Sequence, residues 1–300
     1  MTAKPAAIAW IGDPTDAGQG RWGEPAALSV PLDDRGLLLA EGLFETVLVH
    51  AGRAQLLPEH LARWRQGAGL LALPPPPAAG PIEALLAEAI RRSGLADGAL
   101  RLNWSRGSTA GRGLDPPDPE HCRPRFWLQL SPAEPLFLPL SASISRWECR
   151  NPASRLSRCK SFAYGPQLLA RREAREAGAD DALMLAASGE LSCGTAANLL
   201  LRRGGRWLTP PLSSGCLPGV MRGRALALGW AFEAALQPQD LAVAEAALLL
   251  NSLSCRPLHR CGPLELPPLP PADAEQLWRR LLSGEAAPAL SCSPAPRCDR

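Results

Sequence analysis

Hydrophobic and polar positions follow two different periods along the chain, and both periods occur in each half. Apolar residues three and four apart predict helices at 57–71, 81–93, 164–177, from 218–219 toward 230, and 271–283. Alternating or continuous apolar runs predict strands within 1–12 and at 43–50, 100–104, 126–130, 141–147, 181–187, 199–203, 206–208 and 246–251. This mixture predicts an α/β (α+β) protein with two domains and a cleft between them.

Proline clusters mark boundaries between these elements. Residues 74–77 are four consecutive prolines, which cannot lie inside a helix and therefore separate the first two helices. Residues 132–135, Pro-Ala-Glu-Pro, predict a hinge. We therefore expect a smaller N-terminal α/β domain at 1–131, a linker at 132–135, a larger C-terminal domain at 136–284 and a disordered tail at 285–300.

Composition narrows the class of protein. The chain has 300 residues, enough for two cores, and 46% hydrophobic with 20% charged residues is typical of soluble globular proteins. The net charge of +3 comes from scattered basic residues, so nucleic acid is not an expected partner. No apolar run approaches the roughly 20 residues that cross a bilayer, and the N-terminus lacks a signal-peptide core. We expect a cytoplasmic protein without a membrane partner.

Cysteine and histidine spacing bears on metal binding. The chain has nine cysteines and four histidines, but no CxxC pair occurs and the histidines lie far apart. This spacing predicts no metal site. Because the number of cysteines is odd, most thiols are expected to be free, as in a reducing compartment.

Lysine is rare in this chain. Of the 32 basic residues only Lys4 and Lys160 are lysines. A lysine amine can form an imine with a carbonyl compound once its pKa is lowered, whereas an arginine cannot. The composition therefore singles out Lys160, which lies in the segment Ser-Arg-Cys-Lys-Ser-Phe-Ala-Tyr at 157–164.

Four separated segments carry recognisable motifs: 34–63 with DRG, EGLFETV and EHLAR, 157–164 around Lys160, 189–198 with GELSCGTAAN, and 217–222 with LPGVMR. Together with Asn-Ser-Leu at 251–253, they resemble the class IV aminotransferase family, the fold-type IV pyridoxal 5′-phosphate (PLP) enzymes. The resemblance covers about residues 34–258. It implies a D-amino-acid-aminotransferase-like fold of two domains, PLP in the interdomain cleft, and a homodimer.

The resemblance also implies which residues bind the cofactor. Lys160 would bind the PLP aldehyde as an imine, and Tyr164, the only tyrosine, would lie near the cofactor 3′-oxygen. Arg63 would hold the phosphate, because a guanidinium fork matches a phosphate dianion. The other implied phosphate contacts are backbone groups at a helix N-terminus and a later hydroxyl, namely Gly219, Val220, Met221 and Ser252.

One position departs from the family pattern. The family glutamate that pairs with the pyridine nitrogen of PLP aligns with Cys193. Glu190 lies three residues earlier, and an odd shift along a strand turns the side chain to the other face, so Glu190 is not expected to substitute. A carboxylate keeps this nitrogen protonated. A thiol, with a reference pKa of about 8.5, is neutral and enforces that protonation poorly.

Further resemblances concern the reaction. Residues 105–113, SRGSTAGRG, resemble a loop of 4-amino-4-deoxychorismate lyases, in which Arg106 and Arg112 would meet substrate carboxylates. The run that contains Thr195 and Asn198 is also similar to these lyases, so both residues are expected at the substrate. The implied reaction converts aminodeoxychorismate to 4-aminobenzoate and pyruvate, a step toward folate, with Lys160 as the base.

Two other functions stay open at this point. The first is an amino-acid aminotransferase of the D-amino-acid or branched-chain type, because one fold hosts both reactions. The second is a PLP-binding protein that has lost activity, with Cys193 as the lesion. We favour the lyase, because elimination passes electrons directly to a leaving group and aromatisation adds driving force. Transamination depends more strongly on a protonated ring nitrogen.

Overall fold

The computed structural model describes residues 6–14, 17–108, 113–115 and 122–288. The strands in this part of the chain are β1 (Ile8–Gly12), β2 (Arg21–Gly23), β3 (Gly42–His50), β4 (Arg53–Ala54), β5 (Gly98–Ser108), β6 (Arg123–Ser131), β7 (Leu140–Arg150), β8 (Asp181–Ala186), β9 (Leu191–Gly194), β10 (Asn198–Arg203), β11 (Arg206–Thr209), β12 (Ala231–Glu233), β13 (Ala246–Asn251), β14 (Ser254–Cys261) and β15 (Leu264–Glu265). The helices are α1 (Arg35–Leu39), α2 (Leu57–Leu70), α3 (Ala79–Ser93), α4 (Gly165–Glu176), α5 (Val220–Ala227) and α6 (Pro271–Ser283). None of these helices is long and apolar enough to span a membrane.

The first sheet contains β1 to β6 in the order β2-β1-β6-β5-β3-β4. Every neighbouring pair is antiparallel. Because side chains alternate across a strand, each strand presents one set of residues to each face of the sheet. Helices α2 and α3 pack on one face, where Trp10, Trp64, Ile82 and Phe126 are fully buried. The opposite face is directed toward the second half of the chain.

The second sheet contains β7 to β15 and closes on itself. Its order is β12-β11-β10-β13-β14-β7-β8-β9, and β9 also pairs with β10, so six of the strands form a ring. β7 runs parallel to both β8 and β14. Alternate leucines of β10 and β13 fill two cores on the two faces, Leu199, Leu201 and Leu249 on one and Leu200, Leu248 and Leu250 on the other. The mixed α/β fold expected from the sequence is confirmed.

The predicted elements form with small shifts in their bounds, but the sequence pattern does not predict several others. These are α1, β2, β4, β9, β12, β14 and β15, of which β14 is the longest. For β14 the reason is Pro257, because proline lacks the N–H that a central strand uses and usually lies at a strand end or an edge. Here Pro257 faces Leu248 of β13. On the other side of β14 the pairing with β7 begins only at Leu258. Pro257 therefore lies in the part of β14 that does not yet pair with β7, so its missing N–H interrupts no hydrogen bond of that pairing.

Two segments connect the sheets. β6 ends at Ser131 and β7 begins at Leu140, so the predicted hinge at 132–135 falls inside the first connection. The second is the segment that carries Lys160. Phe44 N donates to Lys160 O, and Phe162 N donates to Gly42 O, both at 2.9 Å. These hydrogen bonds attach residues 160–162 to the start of β3, which places Lys160 between the two sheets.

Candidate active site

A cavity of about 820 Å³ lies between the two sheets. Its first wall is the face of the first sheet opposite the helices. On this wall Phe44 faces Asn103, which in turn faces Trp127, and Thr46 faces Arg101. The structure brings most of the predicted site residues to the same cavity: Arg63, Lys160, Tyr164, Cys193, Thr195, Asn198, Gly219, Val220, Met221 and Ser252.

Lys160 lies between a short 3-10 helix, Arg155–Arg158, and the start of α4. Its Nζ donates to the hydroxyl of Tyr164 at 3.1 Å and lies 4.4 Å from the centroid of the Phe44 ring. Tyr164 directly precedes α4 and packs edge-on against the same ring, at 5.2 Å between centroids. The phenol and the ring together direct the lysine amine into the cavity.

The start of α5 has the features of an anion-binding site. Gly219 caps the helix, and the first backbone N–H groups, those of Val220 and Met221, have no acceptor within it. These N–H groups and the helix dipole favour a negative group at this end. Asn198 Nδ2 donates to Leu217 O at 2.9 Å, and a Cβ at position 219 would lie 1.9 Å from Asn198 Oδ1. A side chain at position 219 would therefore have to displace the Asn198 amide, which this hydrogen bond holds in place.

Arg63 lies beside this helix start and is held by a buried network. It donates to the Glu45 carboxylate from Nε at 2.8 Å and from NH2 at 2.5 Å, and to Pro218 O from NH1 at 3.2 Å. His60 Nδ1 lies 2.7 Å from the same carboxylate, and His60 Nε2 lies 3.2 Å from Ser252 Oγ. Burial opposes the ionisation of Glu45, but the charge of Arg63 and the hydrogen bonds from His60 and Arg63 outweigh it and lower the pKa of Glu45 to about 2.

Replacing Glu45 by glutamine tests this network. A carboxylate with a depressed pKa stabilises the fold above its ordinary pKa of 4.5, and that stabilisation is lost as the pH falls toward about 2. We expect Glu45→Gln to lower the free energy of unfolding at pH 7 by roughly 3 kcal/mol, and to remove a similar amount of pH dependence below pH 4.5, in urea denaturation. The control Glu88→Gln removes a carboxylate that pairs with Arg91 and Arg92 on the surface of α3, and it should change stability little. An unchanged pH dependence in Glu45→Gln would contradict the network.

Cys193 lies on β9, opposite Asn198 of β10. Burial raises the pKa of its thiol, although the nearby charge of Arg150 opposes the shift, so the thiol is protonated at neutral pH. Arg150 also lines the cavity, and its guanidinium donates to Gly215 O at 2.9 Å and Ser157 O at 3.0 Å. Among the described residues, no aspartate or glutamate lines the cavity. This wall therefore presents a neutral thiol and a cation.

Two carboxylates near Cys193 are engaged elsewhere. Glu190 accepts a hydrogen bond from Ser214 Oγ at 2.7 Å and does not line the cavity, which agrees with the expectation that it cannot replace the family glutamate. Asp181 accepts from Thr195 Oγ1 at 2.6 Å and pairs with Arg171 NH2 at 2.8 Å. The Thr195 hydroxyl thus donates its proton to Asp181 and cannot also donate to a ligand.

Arg101 is a cavity residue that the sequence analysis does not identify. Its guanidinium carbon lies 3.8 Å from the centroid of the Phe44 ring, and its Nε donates to Asn103 Oδ1 at 2.9 Å. Within the described ranges no carboxylate forms an ion pair with it, so its charge is available to an anionic ligand. The signal in the sequence is the alternation along β5, where buried Leu100 and Leu102 flank Arg101.

Of the two arginines predicted from the glycine-rich loop, Arg106 needs a correction. Arg106 does not line the cavity: it pairs with Glu41 and donates to Leu71 O at 3.2 Å and Ala72 O at 3.0 Å. It therefore fixes the end of β5 to the end of α2, and Arg101 is the arginine of β5 that lines the cavity. Arg112 lies outside the described residues.

Comparison with known proteins identifies the family. The family model "Amino-transferase class IV" matches residues 42–261, so the chain belongs to the class IV aminotransferases. A Schizosaccharomyces pombe protein named "Putative aminodeoxychorismate lyase" is 32% identical over 218 residues, covering 70% of this chain and 85% of that protein. A Methanocaldococcus jannaschii protein named "Putative branched-chain-amino-acid aminotransferase" is 28% identical over 242 residues, 78% of each chain. The crystal structure titled "Putative 4-amino-4-deoxychorismate lyase" from Legionella pneumophila superposes with a TM-score of 0.78 at 27% identity, covering 86% of this chain and 96% of that one.

Class IV aminotransferases are PLP enzymes, and the residues of the cavity fit this cofactor. Lys160 offers an amine for the aldehyde, and Tyr164 offers a phenol for the 3′-oxygen. Gly219, Val220 and Met221 line the cavity at the helix start, where the first backbone N–H groups of α5 suit a phosphate. The fit differs from the family pattern at the pyridine nitrogen of PLP, because Cys193 stands where the family has a glutamate.

Proposed function

We propose that this chain is a PLP-dependent 4-amino-4-deoxychorismate lyase that forms 4-aminobenzoate and pyruvate. The observation that carries the proposal is the cavity wall of Cys193 and Arg150, in which the described residues include no carboxylate. PLP, when bound, withdraws electrons from the carbon that bears the substrate amine, and a protonated ring nitrogen strengthens this withdrawal. A neutral thiol beside a guanidinium does not favour that protonation.

The missing carboxylate affects the two candidate reactions unequally. Transamination needs the withdrawn electrons to be held until a proton returns at a different carbon. Elimination passes the electrons on at once, because the bond to the enolpyruvyl oxygen breaks and the six-membered ring becomes aromatic. The weaker electron withdrawal therefore costs the lyase less than the aminotransferase.

The residues at the reacting end suit this elimination. Lys160 Nζ would hold the cofactor by its aldehyde, and its amine would be free once the substrate amine takes that place. The freed amine, oriented by the Tyr164 hydroxyl at 3.1 Å, then accepts the proton from the ring carbon that bears the substrate amine. As that C–H bond breaks, the C–O bond to the enolpyruvyl group breaks on the neighbouring carbon. The released enolpyruvate gains a proton to become pyruvate, and Lys160 would again hold the cofactor as 4-aminobenzoate leaves.

The first wall of the cavity supports a cyclic, carboxylate-bearing substrate. Phe44 and Trp127 lie on this wall, Phe162 lines the cavity beside it, and the Trp127 and Phe162 rings lie 5.6 Å apart between centroids. Arg101, without a carboxylate partner among the described residues, lies over Phe44. Flat apolar surfaces accept a six-membered ring, and a guanidinium fork accepts its carboxylate.

The relatives' names support two candidates. The Schizosaccharomyces pombe relative's name supports the lyase. The name of the Methanocaldococcus jannaschii relative, a branched-chain-amino-acid aminotransferase at 28% identity, favours an amino-acid aminotransferase as the second candidate.

Two assays of the PLP-loaded protein separate these functions. We expect aminodeoxychorismate to yield 4-aminobenzoate and pyruvate in equal amounts. The 4-aminobenzoate is measured by its fluorescence, and the pyruvate with coupled lactate dehydrogenase. We expect little reaction with D- or L-amino acids and 2-oxoglutarate. Glutamate formation in the second assay, without 4-aminobenzoate in the first, would show that the protein is an aminotransferase and not a lyase. No product in either assay, from a chain that still binds PLP, would indicate a protein that has lost activity.

A further inference from the structure

Arg101 of β5 presents a fixed guanidinium to the cavity. It is an exposed side chain, and it lines the cavity. Its Nε donates to Asn103 Oδ1 at 2.9 Å, and Asn103 Nδ2 donates in turn to Trp127 O at 3.4 Å. Within the described part of the chain, the two terminal nitrogens of the guanidinium have no hydrogen-bond or ion-pair partner. Both can therefore donate to one carboxylate of a ligand.

The other two arginines of the cavity are more fully engaged. Arg63 donates to the Glu45 carboxylate from two nitrogens and to a backbone carbonyl from the third. Arg150 donates to two backbone carbonyls from two of its three nitrogens. Among the described residues that line the cavity, Arg101 is therefore the arginine whose whole terminal fork is available to a ligand.

The Phe44 ring relates Arg101 to Lys160. The guanidinium carbon lies 3.8 Å from the ring centroid, and Lys160 Nζ lies 4.4 Å from it. The two residues are attached to different parts of β3, because Lys160 O accepts from Phe44 N, whereas Arg101 pairs with Thr46. One small ligand can therefore contact both groups, with its amine at Lys160 and its carboxylate at Arg101.

The offset along β3 indicates the shape of such a ligand. Two residues of a strand, from Phe44 to Thr46, correspond to about 7 Å. An α-amino acid carries its amine and its carboxylate on one carbon. In aminodeoxychorismate and in 4-aminobenzoate, the amine and the ring carboxylate lie at opposite ends of a six-membered ring. The offset therefore fits these ring compounds better than it fits an α-amino acid.

We propose that Arg101 determines the substrate specificity of this cavity by binding the ring carboxylate at the end of the substrate opposite the amine. It thereby selects ring compounds with a carboxylate opposite the amine against α-amino acids. The inference rests on the proposed function and adds to it which substrate group the arginine of β5 binds. The ring carboxylate is still present in 4-aminobenzoate after pyruvate has left. This product should therefore bind the PLP-loaded protein and inhibit it competitively.

The test measures the dissociation constants of the PLP-loaded protein for 4-aminobenzoate, 3-aminobenzoate and aniline by calorimetric titration. These ligands share an aromatic amine and differ in the presence and the position of a carboxylate. Arg101→Leu removes the charge, whereas Arg101→Lys keeps the charge without the planar fork. Arg206→Leu is the matched control, because the Arg206 guanidinium also lies against a phenylalanine ring, 5.6 Å from the Phe232 centroid, but does not line the cavity.

We expect the wild type to bind 4-aminobenzoate at least about tenfold more tightly than 3-aminobenzoate or aniline, the effect of hydrogen bonds between charged groups. Arg101→Leu should weaken 4-aminobenzoate binding about tenfold and leave aniline binding within about twofold. Arg101→Lys should recover part of the loss, and Arg206→Leu should behave as the wild type. Equal affinities of the wild type for the three ligands, or equal losses of 4-aminobenzoate and aniline binding in Arg101→Leu, would overturn the proposal. Unchanged 4-aminobenzoate binding in Arg101→Leu would overturn it as well.

Aniline binding shows that a variant retains its cavity, and Arg101→Lys carries the test if Arg101→Leu does not fold. The titrations contain no aminodeoxychorismate and involve no elimination, so they are separate from the lyase assay. Selective binding of 4-aminobenzoate by a protein without lyase activity would refute the proposed function and leave the role of Arg101 intact. Lyase activity in a protein that binds the three ligands equally would refute only the role of Arg101.

Discussion

Replacing Lys160 by alanine should lower the rate of 4-aminobenzoate formation from aminodeoxychorismate by at least about 10³-fold, because both the attachment point for the cofactor and the base are lost. Lys4→Ala is the matched control, since Lys4 is the other lysine of the chain. After borohydride treatment, peptide mapping should find the cofactor on the peptide that contains Lys160 in the wild type and in Lys4→Ala. Activity retained in Lys160→Ala, or cofactor fixed on another peptide, would contradict the assignment.

Replacing Cys193 by glutamate should raise transamination between alanine and 2-oxoglutarate by at least about tenfold, equal to 1.4 kcal/mol of activation free energy. A carboxylate at this position would hold a proton on the ring nitrogen of PLP and strengthen electron withdrawal. Arg150, whose charge already acts on Cys193 and which has no carboxylate partner within the described residues, would compensate the buried charge. We expect lyase activity to change less than transamination.

Cys193→Ala is the control for this substitution, because it removes the thiol without adding a charge. It should leave transamination at the wild-type level. If Cys193→Glu binds PLP and transaminates no faster than Cys193→Ala, the carboxylate-free wall does not set the reaction, and the physical basis of the lyase proposal is lost.

The cofactor end of the site could be predicted from the sequence because local motifs encode it. Lys160 and Tyr164 are four residues apart in one segment, and Gly219 and Val220 lie at one helix start. Residues that lie close together in one local segment of the sequence also lie close together in the fold. The structure therefore brings these residues to the cavity that the motifs imply.

The substrate end could not be predicted in the same way, because it depends on pairing between distant strands. Arg101 faces the cavity since β5 pairs with β3 and β6 in one register. Arg106, five residues later in a motif that suggested substrate binding, is instead held by Glu41 and by carbonyls at the end of α2. Arg150 meets Cys193 only through the packing of β7, β8 and β9. The alternation along β5 places Arg101 on the face opposite Leu100 and Leu102, but no local pattern shows that this face lines a cavity.

The most direct test of the central claim is the ratio of two kcat/KM values for one preparation of the PLP-loaded wild-type protein. The first is for aminodeoxychorismate, measured by 4-aminobenzoate release, and the second is for the best D- or L-amino acid with 2-oxoglutarate. A cavity without a carboxylate at the ring nitrogen predicts a ratio of at least about 100 in favour of the lyase, or 2.7 kcal/mol in activation free energy. A ratio near or below about 1 on the same scale would contradict the account and identify an aminotransferase.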